Sequence, residues 1–186
     1  VNKPLLIGLA GELLVLRSLL TCDEPTKIAS WVGPLGDRFD IRDARFALEV
    51  KTTTRTDGWR AVIHGLDQLT PVDIASWLAV ARIEYDPNGE TVGELAAQCQ
   101  DLLASHERAD FAAKLTKVAS PEVIQSGDAK TIPLTAGFPQ LTQKILDEAG
   151  LSNHIRSVSY SLDLASAPGQ EIHADLTTLA ERILNV

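Results

Sequence analysis

The sequence predicts an α/β or α+β fold, in which one long helix precedes a group of strands and further helices follow. Three observations carry this prediction: an apolar helical stripe at the start of the chain, short β-forming segments after it, and helical periodicity beyond about residue 90. With 186 residues, of which 45% are hydrophobic, the chain can bury a core of single-domain size. This composition argues against a disordered chain.

The first predicted helix covers residues 5–20, where leucines recur every three or four positions and form one buried stripe. The segment is shorter than the ~20 residues that a membrane span needs and contains Glu12 and Arg17, so we expect no membrane insertion. Glu12 lies at the edge of the stripe, where a carboxylate is costly unless paired. Gly8 and Gly11 flank the same side, which indicates a close approach to the helix there. The alternative is a Glu12 that extends into solvent beside small packing residues.

The segments after this helix are rich in β-forming residues, and we expect an antiparallel meander. Asp57-Gly58 predicts a two-residue hairpin turn, since both residues tolerate the positive φ of such turns. A further strand over residues 76–85 is predicted to end at Asp86-Pro87-Asn88-Gly89. The four meander strands are predicted over residues 27–32, 38–42, 46–55 and 59–64.

Helical patterns dominate the second half of the chain. We divide it into a core of residues 1–90 and a helical extension of residues 91–186 with one late strand, packed on the core as one compact unit. The predicted elements are a helical turn over residues 66–69, helices over residues 92–103, 108–118, 138–148 and 175–184, and the late strand over residues 157–164.

Charge and composition narrow the classes of function. The net charge is −8, but residues 1–65 carry +1 and residues 66–186 carry −9, so only the first part suits a polyanion. Cys22 and Cys99 lie far apart and predict neither a disulfide nor a zinc site, which favours a reduced, cytoplasmic setting. The chain begins at Val1 and contains no methionine, so we expect an excerpt of a longer protein.

Two carboxylates and one ammonium group are predicted to meet on neighbouring strands. Side-chain alternation places Glu49 and Lys51 on one face, and a four-residue loop over residues 42–45 would pair Asp40 with Ala47, roughly 7 Å diagonally from Glu49. Two carboxylates at that separation can share one divalent cation, and a nearby lysine suits phosphodiester hydrolysis. The alternative is an exposed strand face with an ordinary charge pair.

These residues resemble the PD-(D/E)XK nuclease superfamily, and more closely a bacterial group often encoded with phage-defence and restriction-modification genes. The resemblance is carried by Gly8-Leu9-Ala10-Gly11-Glu12, by Asp40, and by Glu49-Val50-Lys51 with Thr52 and Thr53. Later stretches at residues 64–69, 138–141 and 158–164 extend it over most of the chain. It implies a restriction-endonuclease-like core, with a mixed sheet flanked by helices and an additional C-terminal helical segment.

The resemblance also implies roles for individual residues. Asp40 and Glu49 would bind Mg²⁺ or Mn²⁺, Lys51 would act on the attacking water, and Glu12 would assist at the metal. Gln68 would be the polar helix residue that often accompanies the motif. Phe39 stands where the motif name has proline. Expected substrate contacts are Thr52, Thr53, Arg55 and Arg60.

Four residues leave alternatives open. Asp37 is a rival for the metal, but alternation puts it on the face opposite Asp40. Arg55 and Arg60 flank the predicted turn, where they could clamp a phosphate or be solvated hairpin charges. His64 is expected to be structural unless it lies near Lys51.

The sequence thus predicts a Mg²⁺-dependent DNA endonuclease domain of restriction or phage defence. We expect DNA as its substrate, and a homodimer or a multi-protein defence complex as its assembly. One alternative is a non-catalytic DNA-binding or assembly module that retains the nuclease fold. Another is a repair exonuclease or junction resolvase.

Overall fold

The computed structural model describes residues 3–22, 27–54, 60–64, 74–126, 130–139, 159–163 and 176–184. It shows a four-stranded mixed sheet flanked by helices, which confirms the predicted α+β class. The strands are β1 (Ile41–Arg42), β2 (Phe46–Thr53), β3 (Arg60–His64), β4 (Ala75–Glu90), β5 (Lys130–Pro139) and β6 (Ser159–Asp163). The helices are α1 (Lys3–Leu20), α2 (Val92–Leu102), α3 (Arg108–Val118), α4 (Pro121–Gln125) and α5 (Leu176–Leu184).

Helix α1 forms the centre of the core, as its leucine stripe predicts. Leu9, Leu13 and Leu16 are fully buried, and the helix packs on β2, α2 and α5. The thiol of Cys99 in α2 donates to the Leu13 carbonyl of α1 at 3.3 Å, which ties the two helices together. None of the described helices combines the length and the apolar character that a membrane crossing needs.

Of the predicted antiparallel meander only the pair of β1 with β2 forms among the described strands, because β3 does not pair with β2 and β2 runs parallel to β4 on its other side. The sheet order is β1-β2-β4-β5, with β1 and β5 antiparallel to their neighbours. From Phe46 to Val50 every residue of β2 is buried, as expected of a central parallel strand covered on both faces. Strand β3 instead pairs with β6 in a separate two-stranded sheet. Asp57-Gly58 lies outside the described residues, and the strands on either side of it do not form the predicted hairpin.

Residues 27–32 do not form the predicted strand. They contain a 3₁₀ turn, Ile28–Ser30, and a single bridge from Trp31 to Ile41. Two side chains bond the backbone groups that would otherwise pair in a strand. Glu107, just before α3, accepts from the Ile28 amide, and Lys114 of α3 donates to the Ile28 carbonyl. A second 3₁₀ turn follows at Gly33–Leu35, and only Ile41–Arg42 of the predicted strand over residues 38–42 is extended and paired.

Two other boundaries differ from the predictions. Strand β4 continues through residues 86–89, which are predicted to form a turn that ends the strand. Its register with β5 shifts between Tyr85 and Glu90, so these residues form an irregularity within the strand instead. Phe138 and Pro139, predicted to begin a helix, end β5, while residues 140–148 lie outside the described residues. Helix α4 and strand β5 were not predicted.

The remaining predictions for the second half agree well with the structure. Helices α2, α3 and α5 and the late strand β6 are confirmed within two residues at each end. The predicted helical turn over residues 66–69 lies outside the described residues. Strand β5, from the predicted extension, belongs to the same sheet as β2, and the division at residue 90 stays a prediction.

Candidate active site

A cavity of about 640 Å³ opens beside the second half of strand β2. Its walls come from the first half of α1, the bend before β1, the end of β2 and the exposed face of the β3–β6 sheet. The charged residues described in its lining are Glu12, Asp37, Arg38, Asp40, Glu49, Lys51 and Arg60. Four acidic and three basic side chains therefore surround one cavity.

The register of β1 and β2 differs by two residues from the predicted register. The observed pairs are Ile41 with Leu48 and Arg42 with Ala47, whereas the predicted loop would have paired Ile41 with Phe46. The Asp43 carboxylate accepts hydrogen bonds from the amides of Arg45 and Phe46 at 2.7 and 3.1 Å. The turn that these bonds stabilise sets the register of the two strands. The regular pairing ends at Ile41: the Asp40 amide donates to the Leu48 carbonyl at 3.1 Å and its carboxylate accepts from the Val50 amide, so Asp40 lies alongside Glu49.

Asp40 is fixed through both its side chain and its backbone. Its Oδ2 accepts the Val50 amide of β2 at 2.7 Å, and its carbonyl accepts the amides of Val32 and Gly33, each at 2.9 Å. A Cβ on Gly33 would lie 3.0 Å from Asp40 Oδ1, so a larger residue there would push the Asp40 carboxylate by a few tenths of an ångström. The position of Asp40 is therefore set by β2 on one side and by the residues around Gly33 on the other.

Glu49 and Lys51 lie side by side on β2, as strand alternation predicts. Lys51 Nζ donates to Glu49 Oε1 at 2.5 Å, and Glu49 is only 3% exposed. The pair is thus a partly enclosed ion pair at the cavity, which does not agree with the alternative of an exposed charge pair on a strand face.

Glu12 reaches the same cavity from helix α1. Its Oε2 accepts a hydrogen bond from the Trp31 indole Nε1 at 3.0 Å, so the carboxylate is paired instead of extending into solvent. The predicted close approach to the helix is confirmed at Gly11, where an added Cβ would lie 1.9 Å from Thr52 Oγ1. At Gly8 an added Cβ would meet open space. The contact of α1 with Thr52 explains how Glu12 comes so close to β2.

The three carboxyl groups hold protons more tightly than ordinary carboxyl groups do. Burial first, then the charge of Asp40, raise the pKa of Glu12 to about 8 and that of Glu49 to about 7. Burial also raises the pKa of Asp40, although its bond from the Val50 amide and the charge of Lys51 oppose this. Burial therefore makes the charged forms of these carboxyl groups costly, and a bound cation would stabilise them.

The chemistry of these residues fits a hard divalent cation. Mg²⁺ and Mn²⁺ take carboxylate oxygens, and Asp40, Glu49 and Glu12 offer them at the same cavity. Each carboxylate uses one oxygen in the hydrogen bonds above, which leaves a second oxygen that could bind a cation. Within the described residues, no group of three or more His, Cys, Asp or Glu side chains already converges as a metal cluster. The fit thus rests on donor type and charge.

The structure also places the remaining predicted residues. Thr52, Thr53 and Arg60 line the cavity, whereas Arg55 and Gln68 lie outside the described residues. His64, expected to be structural unless it lay near Lys51, lines the same cavity, and its Nδ1 lies 3.2 Å from Ser159 Oγ.

The prediction that Asp37 faces away from Asp40 is wrong. Both residues line the cavity, because residues 37–40 bend and side chains do not alternate there as in a strand. Sequence reasoning also missed Arg38 and Trp31. Arg38 lines the cavity, and its charge partly opposes the rise in the pKa of Glu49 that burial causes. Trp31 donates a hydrogen bond to Glu12. Neither residue stands in a spacing that would have revealed it.

A comparison with known families agrees with this arrangement of residues. The family model described as "Putative PD-(D/E)XK family member, (DUF4420)" matches residues 3–165. No curated protein and no solved structure matches the chain. The matched range contains α1, Asp40, β2 and all the other residues described in the cavity lining. The chain belongs to this PD-(D/E)XK family.

Proposed function

We propose that the protein is a metal-dependent endonuclease that hydrolyses phosphodiester bonds of DNA. The observation that carries the proposal is that Asp40 and Glu49 lie at one cavity together with Lys51, whose Nζ is bonded to Glu49. Family membership supports nuclease chemistry in general. A role in restriction or phage defence, in the cytoplasm, is the wider setting that we propose.

Asp40 and Glu49 would hold Mg²⁺ or Mn²⁺, and Glu12 would assist them. Such a cation, when bound, supplies Lewis-acid activation of the phosphate and of water. Lys51 Nζ, which already lies beside Glu49, would orient the attacking water and offset the negative charge that develops on the phosphate. The expected products carry 5′-phosphate and 3′-hydroxyl ends.

The cavity also offers groups for the rest of the substrate. Thr52, Thr53 and Arg60 lie beside the carboxylates and provide hydroxyl and guanidinium donors, which suit phosphate oxygens. Arg55 completes the proposed set of substrate contacts. Because each chain carries one such site, cleavage of both strands favours a homodimer or a multi-protein complex.

The test is a cleavage assay on plasmid and linear DNA with Mg²⁺ or Mn²⁺. We expect wild-type cleavage to require the cation, and Glu49→Ala with Lys51→Ala to abolish it. The matched control is Lys117→Ala with Glu122→Ala, which also removes one base and one acid, both exposed and outside the cavity. Cleavage that survives the Glu49 and Lys51 substitutions would refute the proposal. Blunt, nicked and branched substrates compared in the same assay distinguish an endonuclease from an exonuclease or a junction resolvase.

A second candidate is a non-catalytic DNA-binding or assembly module, which the acidic balance of residues 66–186 favours. Calorimetry separates the two candidates. Mn²⁺ binding that is lost in Asp40→Ala supports the enzyme. Absence of metal binding, together with tight binding to the product of a neighbouring gene, supports the module.

A further inference from the structure

Trp31 connects the cavity to helix α3. The residue is fully buried, and its ring lies 5.5 Å from the Phe111 ring of α3, centroid to centroid, at a tilt of 34°. On its polar edge, Nε1 donates to Glu12 Oε2 at 3.0 Å. One face of the indole is therefore packed on α3 while its N–H group bonds a carboxylate of the cavity.

Helix α3 also holds the backbone just before Trp31. Lys114 is 4% exposed, and its Nζ donates to the carbonyls of Ile28 and Ala29 at 2.8 and 3.4 Å. Glu107 Oε1 accepts the Ile28 amide at 3.0 Å. A buried ammonium group is costly unless its hydrogen bonds are made, so Lys114 fixes this 3₁₀ turn strongly.

The residues that follow Trp31 hold a second carboxylate of the cavity. The amides of Val32 and Gly33 both donate to the Asp40 carbonyl at 2.9 Å, and Trp31 itself bridges to Ile41. The segment of residues 28–33, which we call the strap, thus contacts Glu12 through a side chain and Asp40 through the backbone. It is anchored on α3 at its other end.

We propose that Trp31 is a positioning residue that holds Glu12 at the cavity, and that helix α3 fixes Trp31 through the strap. The Glu12 side chain has several rotatable bonds, and the indole N–H group selects the orientation that reaches the cavity. The role of Glu12 beside a cation rests on the proposed function. The link between Trp31 and Glu12 does not.

The first experiment compares Trp31→Phe with Trp77→Phe by Mn²⁺ calorimetry. Trp31→Phe keeps an aromatic ring on Phe111 and removes the indole donor together with part of the ring volume. We expect it to weaken Mn²⁺ affinity about 10- to 100-fold, as loss of a residue that orients a metal ligand does. Trp77 is also buried, and within the described residues its indole N–H has no partner, so Trp77→Phe should leave the affinity unchanged. Thermal unfolding of both variants verifies that they fold.

A double-mutant comparison tests whether Trp31 acts through Glu12. In a Glu12→Ala background, Trp31→Phe should cause no further loss of Mn²⁺ affinity. An additive loss would show that Trp31 acts through the packing of the core and would overturn the inference. Unchanged affinity in Trp31→Phe alone would overturn it as well.

A spectroscopic readout tests the link without any metal. The chain has three tryptophans, so the indole N–H region of a ¹⁵N NMR spectrum contains few signals, and Trp31→Phe assigns the one that matters. We expect Glu12→Ala to shift the Trp31 signal and to leave the Trp77 signal in place. A Trp31 signal that does not move overturns the inference. If the wild-type protein neither binds Mn²⁺ nor cleaves DNA, the proposed function fails while this measurement still decides the link.

Discussion

Helix α1 carries two charged clusters that differ in balance. At Glu12, four carboxylates share one cavity with Lys51 and two arginines at its walls. At Arg17, one guanidinium bonds both oxygens of Glu90 at 2.9 and 3.0 Å. Gln98 completes the second cluster by accepting from Arg17 and donating to Glu90 at 2.6 Å.

The difference separates charges that hold the fold together from charges prepared for a ligand. The Arg17 cluster has one charge of each sign and an amide that satisfies both, so it needs nothing further. In the Glu12 cluster, burial and repulsion raise the pKa of Glu12 and Glu49 towards neutrality. Such an arrangement opposes folding unless a ligand stabilises it, which is typical of functional sites. The predictions below test this contrast.

The largest effect is expected from Asp40→Asn. The variant keeps the size of the side chain and an oxygen for the Val50 amide, but removes the charge that would hold the cation. Cleavage should fall about 10²- to 10³-fold, as when one electrostatic contact in a site is lost. Plasmid nicking at fixed Mg²⁺ concentration measures it. Glu90→Gln, in the balanced cluster, should retain full cleavage, and loss of cleavage in Asp37→Asn but not in Asp40→Asn would reverse the assignment of the metal ligand.

The second effect is a dependence of stability on pH in the metal-free protein. Because the folded-state pKa values of Glu12 and Glu49, about 8 and 7, exceed the usual 4.5, the folded state binds protons that the unfolded state releases. Their contribution is therefore present below about pH 4.5 and is lost as the pH rises through 7 and 8. Urea unfolding at pH 6 and pH 8.5 measures this loss. Glu12→Gln should reduce it, and a pH dependence unchanged in this variant would contradict the burial of Glu12.

Divalent cations should reverse that loss of stability. At pH 8.5, Mn²⁺ at a hundredfold excess over its Kd should stabilise the folded state by about 2.7 kcal/mol, because only the folded chain presents the paired carboxylates. Thermal unfolding with and without Mn²⁺ measures the gain. The same gain in Asp40→Ala would show that the cation binds elsewhere.

The third effect concerns the approach of α1 to β2. In Gly11→Ala the new Cβ would clash with Thr52, and we expect a loss of about 1–3 kcal/mol of unfolding free energy. Gly8→Ala has open space and should be neutral or gain up to about 1 kcal/mol from helix propensity. Chemical denaturation compares the two. Equal stability of both variants would mean that α1 does not lie close to Thr52.

The smallest effect is expected in the balanced cluster. Arg17→Met keeps the aliphatic part of the side chain and breaks the pair with Glu90, whose side chain is more than one-third exposed. We expect a loss of about 1 kcal/mol of stability, typical of partly solvated pairs, and no change in Mn²⁺ affinity. Chemical denaturation and calorimetry test the two statements separately. A weakened affinity would mean that the clusters are coupled along α1.

Local patterns predicted single elements well and their pairing poorly. The leucine stripe predicted α1, and alternation placed Glu49 beside Lys51, since both depend only on neighbouring residues. The parallel pairing of β2 with β4 brings together residues 29 positions apart, from Phe46 with Ala75 onwards, and no local pattern encodes the choice of partner. The strand predicted over residues 27–32 does not form, because Glu107 and Lys114, which lie 79 and 86 positions from Ile28, bond the backbone of Ile28.

The sequence by itself determined the chemistry of the candidate site: carboxylates at 12, 40 and 49, a lysine at 51, and the alternation and helical periodicity that present them. The tertiary structure decided how they meet. The Asp43 turn and the bond from the Val50 amide set Asp40 beside Glu49, the contact of Gly11 with Thr52 brings α1 close to β2, and Trp31 holds Glu12. The physical reason is range: side-chain direction follows from local backbone geometry, whereas register, close approach and burial depend on partners distant in the chain.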